Sequence, residues 1–180
     1  MGDYTMAFYQ GMGDGKDRIA RAFGRVQAWI VRGATRSAFS HCELIRHPDA
    51  PPPGLPVESI SSSGRDGGVR IKWIRYDAGK WAFKPVPWAP ADAWDRAARH
   101  LGKPYDYAGL LKSHVIPLNR EDPEAWFCSE LCAEALGLRM PNALSPGALH
   151  RALEDDCDIW RRTLRVSHGR REGGARRGWL

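Results

Sequence analysis

A cysteine at the start of a predicted helix is the strongest candidate for chemistry in this 180-residue chain. Apolar residues recur at helical spacing through 126–136, and Cys128 is the first residue of the apolar face. A thiol at a helix N-terminus is stabilised as a thiolate by the helix dipole and by unpaired backbone N–H groups. Free cysteines are also among the most buried residues of ordinary cores. The position alone therefore predicts either a nucleophile or a core residue.

A cysteine nucleophile needs a base, and the base needs a third group that orients it. His41 is the best candidate base, because it lies on a predicted strand with Glu43 on the same face, while Cys42 and Leu44 share the other face. Glu58 lies on the next predicted strand, so either acid is placed to orient the ring. The other histidines fall in predicted loops or near helix ends and need no catalytic explanation.

Zinc binding is the alternative use of the same side chains. Cys128 and Cys132 are one helical turn apart, and His41 and Cys42 would complete four ligands of suitable type. However, neighbouring residues on a strand point to opposite faces, and structural zinc sites usually draw cysteine pairs from a short knuckle. We therefore expect no metal and no cofactor.

The elements that must position these residues form two groups along the chain. Hydrophobic patterns and breaker residues predict strands over 4–9, 39–46, 57–61, 69–74, 81–86 and 157–166. Helices are predicted over 16–31, 91–101, 126–136 and 145–153, with a further short helix capped by Asp106 and a proline-rich surface loop over 47–55. This order predicts one α+β domain over 1–166, in which an antiparallel sheet packs against helices.

The net charge of +6 is concentrated at the C-terminus. Residues 161–180 contain seven arginines and one glutamate, and the remaining residues balance acidic against basic groups. The glycine-rich segment 167–180 is therefore predicted to be a flexible basic tail, able to contact an anionic partner.

Cysteine usage and hydrophobicity indicate a cytoplasmic protein with reduced thiols. The four cysteines lack the spacing of a disulfide framework, and the N-terminus lacks the pattern of a secretory signal. No apolar run is long enough for a transmembrane segment. Export by another route stays open.

The order of several short motifs resembles that of a known hydrolase family. The motifs are Phe-Ser-His-Cys-Glu-Leu-Ile at 39–45, Val-Glu-Ser at 57–59, Gly-Gly-Val-Arg at 67–70, Gly-Lys-Pro-Tyr-Asp-Tyr at 102–107, Phe-Cys-Ser-Glu-Leu at 127–131 and Ser-Pro at 145–146. Together they resemble the circularly permuted papain-like cysteine hydrolases, in particular the YiiX-like branch of the NlpC superfamily. In that family the histidine strand precedes the cysteine helix, as it does here.

The resemblance implies a permuted papain-like fold and a role for each candidate residue. Cys128 would be the nucleophile, His41 the general base and then the general acid, and Glu58 the orienting acid. Glu43 remains the rival for this third role, because it shares a strand face with His41. Backbone N–H groups at the start of the cysteine helix, including that of Cys128, would bind the oxyanion. Tyr9 and Gln10 are candidates for a further oxyanion donor, and the candidates for the substrate cleft are Tyr9, Gln10, Tyr105 and Tyr107.

The implied reaction is cleavage of an amide or ester bond through a cysteine thioester. Cell-wall peptides are the first substrate class, and acyl or lipid substrates are the second. Eight tryptophans, several of them between Trp73 and Trp94, either line an apolar cleft or belong to the core. The alternative function is a non-catalytic binding module of the same fold, whose basic tail contacts nucleic acid or another anionic partner.

Overall fold

The computed structural model describes residues 3–11, 37–106, 125–138 and 144–155. Its elements in chain order are β1 Thr5–Tyr9, β2 His41–Ile45, β3 Pro56–Ser63, β4 Gly68–Arg75, β5 Trp81–Pro85, α1 Ala93–Ala98, α2 Cys128–Ala135 and α3 Pro146–Asp155. The predicted elements over 16–31 and 157–166, the helix that Asp106 would cap and the basic tail lie outside the described residues.

The strands form a single five-stranded antiparallel sheet in the order β4-β3-β2-β1-β5. Two of its pairings determine the faces on which the candidate site residues lie. Tyr9 of β1 lies opposite His41 of β2, and Leu44 of β2 lies opposite Ile60 of β3. The predicted α+β class with an antiparallel sheet and helices is confirmed, and each strand predicted within the described residues is present to within two residues at either end.

The sheet is curled, because its two edge strands are joined by a short connection. Residues 76–80 link β4 to β5, and within them the Lys80 N–H donates to the Asp77 carbonyl at 2.9 Å in a tight turn. Because of this turn, the five residues cannot reach across a flat sheet of five strands, which would be about 19 Å wide. The sheet must therefore bend to bring its two edges together. The side chain of Tyr76 accordingly lies against Phe83 of the opposite edge strand, with ring centroids 5.6 Å apart.

Because the sheet is curled, it has a convex and a concave face, and a different hydrophobic cluster packs on each. The convex face packs against the helices in the main core, which includes Met6, Phe8, Cys42, Leu44 and Ile60. The concave face encloses a smaller cluster formed by Ala7, Ile45, Val57 and Tyr76, against which Ile74, Trp81 and Phe83 pack. Both faces of the central strands are covered, and all five residues of β1 are buried.

The helix ends carry the capping and terminating residues that the sequence indicates, although their bounds differ from the predicted ones by up to three residues. Helix α2 begins at Cys128 and is terminated by Gly137, whose φ of 71° suits a glycine. Ser145 caps α3 by accepting a hydrogen bond from the Ala148 N–H at 3.2 Å. Helix α1 is shorter than the predicted 91–101, although Gly102 reverses the chain after it with φ of 80°. No described helix is long and apolar enough to cross a membrane.

Close packing of two backbone segments explains one glycine of the Gly-Gly-Val-Arg motif. A Cβ atom on Gly68 would lie 2.0 Å from the Lys103 carbonyl oxygen. We expect Gly68→Ala to lower the free energy of unfolding by about 1–3 kcal/mol, because the two backbones must separate. Urea denaturation measures this effect. The control is Gly79→Ala in an exposed turn, where the added Cβ meets only the Asp77 carboxylate at 3.3 Å; an equal loss in both variants would contradict the packing explanation.

Candidate active site

The candidate base and an acid meet on the concave face of the sheet. His41 and Glu43 are two residues apart on β2, and the His41 Nε2 atom lies 3.1 Å from the Glu43 Oε1 atom. The Glu43 side chain is only 2% exposed. A carboxylate is strongly destabilised by such burial unless charged and polar partners surround it.

Three further side chains donate hydrogen bonds to the Glu43 carboxylate. Arg70 of β4 contacts both oxygens, with its Nη2 atom 2.8 Å from Oε1 and its Nη1 atom 3.4 Å from Oε2. The Tyr76 hydroxyl donates to Oε2 at 3.2 Å, and the Ser59 hydroxyl donates to the same oxygen. Burial would raise the pKa of Glu43, but the charge of Arg70 and the contacts with His41 hold it well below its usual range. The acid is therefore ionised at every physiological pH.

The expectation that Glu58 orients the base is corrected by these contacts. Glu58 forms an ion pair with Arg46, its Oε2 atom lying 3.4 Å from Nη1, and its side chain is 25% exposed. The strand register explains the placement. Leu44 pairs with Ile60, so Glu58 shares the convex face with Ile60 and lies on the opposite side of the sheet from Glu43. The rival candidate, Glu43, is the acid that contacts His41.

Cys128 is the second hydrogen-bond partner of His41. His41 is the first residue of β2, so its ring lies at the end of that strand. Burial lowers the pKa of His41, but the charge and hydrogen bond of Cys128, followed by those of Glu43, raise it to about 9. Because Nε2 faces Glu43, Nδ1 is the nitrogen that can exchange a proton with the sulfur.

The sulfur of Cys128 is held in a setting that favours the thiolate. Burial alone would raise the pKa of Cys128, but a hydrogen bond from the Cys42 thiol, the charge of His41 and the His41 hydrogen bond lower it well below the usual range. The pKa of Cys42, by contrast, is raised well above its usual range by burial and by contacts with Cys128 and Cys132. Cys42 thus remains a protonated donor, and the thiolate is confined to Cys128.

The start of α2 has backbone N–H groups that the helix itself does not use. The first bond within the helix runs from the Leu131 N–H to the Phe127 carbonyl at 3.1 Å, so the earlier N–H groups are not used by the helix itself. Glu130 accepts a hydrogen bond from the Phe127 N–H at 3.1 Å, which fixes the chain just before Cys128.

The tyrosine and glutamine candidates occupy different places. Tyr9 lies opposite His41 and packs against Trp81 at 5.0 Å, so it borders the site. Gln10 is exposed, and its backbone N–H donates to the Lys80 carbonyl at 2.8 Å. Tyr105 is buried against Phe127, with ring centroids 5.6 Å apart, just before the cysteine helix. Tyr107 lies outside the described residues.

The tryptophans between residues 73 and 94 do not share one environment. Trp88 and Trp94 belong to the main core, whereas Trp73 is 69% exposed. Trp81 stands beside the candidate base, with its ring centroid 6.4 Å from that of His41. Trp81 therefore borders the candidate base.

Within the part of the chain that the structure describes, no group of three or more His, Cys, Asp or Glu side chains is arranged to hold a metal ion. His41 and Cys42 point to opposite faces of β2, as expected, yet each is a hydrogen-bond partner of Cys128. Their contacts are those of a hydrogen-bonded thiol, thiolate and imidazolium.

Arg70, Ser59 and Tyr76 are site residues that sequence reasoning did not identify. Arg70 was noted only as part of the Gly-Gly-Val-Arg motif. A usable signal was present: Glu43 lies between His41 and the apolar Ile45 on one face of the strand, and a carboxylate buried on that face requires a cation. Arg70 lies on a neighbouring predicted strand. Choosing it over Lys72 or Arg75 requires the register of β3 with β4.

Comparisons with protein-family models, curated proteins and solved structures give no match for this chain. The assignment of function consequently rests on the geometry of the site.

A pair of matched substitutions distinguishes the structural role of Glu43 from that of Glu58. We expect Glu43→Gln to lower the free energy of unfolding by about 3 kcal/mol or more, because Arg70 loses its buried counter-ion. Glu58→Gln removes only the partly exposed pair with Arg46 and is expected to cost at most about 1 kcal/mol. Urea denaturation at neutral pH measures both. Equal losses would show that Glu43 is no more important to the folded protein than Glu58.

The pairing of His41 with Cys128 predicts a titration that depends on the thiolate. His41 should titrate near pH 9 in the unaltered protein, followed by the imidazole NMR signals. In Cys128→Ser the pKa of His41 should fall, because burial then opposes the imidazolium and only Glu43 supports it. Cys132→Ser serves as the control. A His41 titration unchanged by Cys128→Ser would disprove the ion pair.

Proposed function

We propose that the protein is a cysteine hydrolase that cleaves an amide or ester bond through a thioester on Cys128. The observation that carries this proposal is the position of His41 between a buried, ionised acid and a cysteine at a helix start. A hydrolase of this type needs a nucleophile, a base and an orienting group in that order. The motif order that resembles permuted papain-like hydrolases supports the same assignment.

In the proposed resting state Cys128 is a thiolate and His41 an imidazolium. The sulfur attacks the carbonyl carbon of the substrate, and the electron pair of the carbonyl moves to oxygen. Backbone N–H groups at the start of α2 stabilise that negative charge. His41 then gives its Nδ1 proton to the leaving amine or alcohol as the tetrahedral intermediate collapses, which leaves an acyl group on Cys128.

Hydrolysis of the thioester uses the same base in reverse. Neutral His41 takes a proton from water through Nδ1, and the resulting hydroxide attacks the acyl carbon. Collapse of the second intermediate releases the acid and restores the thiolate and imidazolium. Throughout the cycle Glu43 accepts the Nε2 proton in a hydrogen bond without taking it, since Arg70 keeps the carboxylate ionised.

Access to the sulfur is the step that requires movement. Cys128 is 0% exposed, whereas the His41 side chain is 19% exposed. A substrate must therefore approach from the His41 side and displace the groups above the sulfur. Trp81 and Tyr9 border this approach, and their rings suit apolar or flat substrate groups.

Two substrate classes follow from the resemblance. Cell-wall peptides come first, and acyl or lipid esters second. The aromatic border beside His41 is compatible with both, since tryptophan and tyrosine pack equally against peptide planes and acyl chains.

A trapping experiment tests the function. The purified protein is incubated separately with cell-wall peptide fragments and with an acyl ester, and the acyl-enzyme is identified by mass spectrometry. We expect product release, an acyl group on Cys128 and loss of at least about 1,000-fold in rate for Cys128→Ala and for His41→Ala.

Cys132→Ala is the matched control, because Cys132 lies one turn further along the same helix in the core. It should retain activity within a few fold, provided that the variant remains folded. Turnover that survives Cys128→Ala would overturn the proposal. The complete absence of acylation with both substrate classes would favour a binding module instead.

A further inference from the structure

Charged side chains of alternating sign lead from the protein surface to the candidate nucleophile. Asp66 accepts a hydrogen bond from the Arg70 Nε atom at 2.9 Å, and Arg70 Nη2 donates to Glu43 Oε1 at 2.8 Å. Glu43 in turn holds the His41 Nε2 atom at 3.1 Å. His41 then contacts Cys128, as described above. Each member of this series has an oppositely charged neighbour on both sides, apart from its two ends.

We propose that Arg70 is a positioning residue of the candidate active site, which acts through Glu43 on His41 and is itself fixed by Asp66. This inference rests on the proposed function for its catalytic meaning. Independently of catalysis, Arg70 would determine where the Glu43 carboxylate lies and whether it keeps its charge.

Hydrogen-bond geometry supports the positioning of the Glu43 carboxylate by Arg70. The two Glu43 oxygens have different partners. Oε2 accepts hydrogen bonds from Ser59 and Tyr76, while Oε1 faces His41 and Arg70. A guanidinium that contacts both oxygens fixes the plane of the carboxylate as well as its distance. The Oε1 atom is consequently held toward the imidazole ring. A lysine at this position would supply charge but could not contact both oxygens in the same planar way.

The burial of both side chains supports an electrostatic effect of Arg70 on the charge of Glu43. The Arg70 and Glu43 side chains are 15% and 2% exposed, so water screens their interaction weakly. The charged or titratable groups that face Glu43 are His41 from β2, Arg70 from β4 and Tyr76 from the segment after β4. Tyr76 stays protonated, because burial and then Glu43 raise its pKa well above the usual range. Arg70 and the His41 imidazolium are therefore the two positive charges that balance Glu43.

Asp66 fixes the outer end of Arg70. It lies in the turn between β3 and β4, and its other oxygen accepts a hydrogen bond from Lys72. Since the Asp66 side chain is 23% exposed, this pair is more strongly screened than the pair with Glu43. Its role would be to hold the guanidinium plane against Glu43.

Two titrations test the proposal. One follows the Glu43 carboxyl carbon by NMR, and the other follows the ultraviolet absorbance of the Cys128 thiolate, which does not require a reagent to reach the sulfur. In Arg70→Gln the pKa of Glu43 should rise to or above the ordinary value of about 4.3, because burial is no longer opposed by the arginine. As the pH falls through that new value, His41 loses its anion and the thiolate signal should fall with it.

The expected result is a thiolate population that, about one pH unit below the new pKa of Glu43, is lower by about tenfold than that of the unaltered protein, with a much smaller difference at pH 8. A loss of equal size at every pH would indicate a merely structural role and would overturn the proposal. So would a thiolate titration of Arg70→Gln that superimposes on that of the unaltered protein. Arg75→Gln is the matched control, since Arg75 is exposed on the same strand and donates only to the Gly54 carbonyl at 3.1 Å.

Two further variants keep the test decisive if Arg70→Gln does not fold. Arg70→Lys should keep the pKa of Glu43 low while weakening the contact with His41, so the thiolate titration should move in the same direction by a smaller amount. Asp66→Asn should give a still smaller change of the same sign. Titrations of both variants that match the unaltered protein would overturn the proposal. Because neither titration uses a substrate, a failure to find hydrolysis leaves this result intact, and the two failures are distinguishable.

Discussion

A buried carboxylate on the concave face of a curled sheet is the constraint on which the site depends. Glu43 is almost fully removed from water, yet it remains ionised because Arg70, His41, Ser59 and Tyr76 all donate to it. These partners come from β2, β3, β4 and the segment that follows β4. The sheet must therefore be assembled and curled before the acid is stable in its charged form.

The same arrangement explains why a cysteine in the core can have a low pKa. Burial by itself favours the neutral thiol, as it does at Cys42. At Cys128 the imidazolium and the Cys42 thiol reverse that preference, and the imidazolium in turn depends on Glu43. Neighbouring cysteines in one core cluster thus take opposite protonation states because only one of them contacts the histidine.

Much of this arrangement was predictable from local patterns. Alternation along residues 39–46 placed His41 and Glu43 on one face, and helical spacing with a terminal glycine placed Cys128 at the start of α2. The preference for Glu58 came from the family resemblance, whereas local alternation favoured Glu43. Glu43 shares a face with His41 by alternation alone, whereas the pairing of Leu44 with Ile60 decides whether Glu58 lies on that face or on the opposite one. Arg70 was missed because its contact with Glu43 crosses β3, the strand between them.

The short connection over residues 76–80 has a consequence for the folding of the chain. It contributes Tyr76 to the carboxylate and joins the two edge strands, so closure of the sheet and completion of the charged network are one cooperative event. A chain in which the helices had docked but the sheet had not curled would expose Glu43 to water and separate it from its donors. Cys128 would then be an ordinary thiol with low nucleophilicity at neutral pH. If Cys128 is the nucleophile proposed above, its low pKa is confined to molecules whose sheet has closed, and a nascent or misfolded chain would not carry the thiolate.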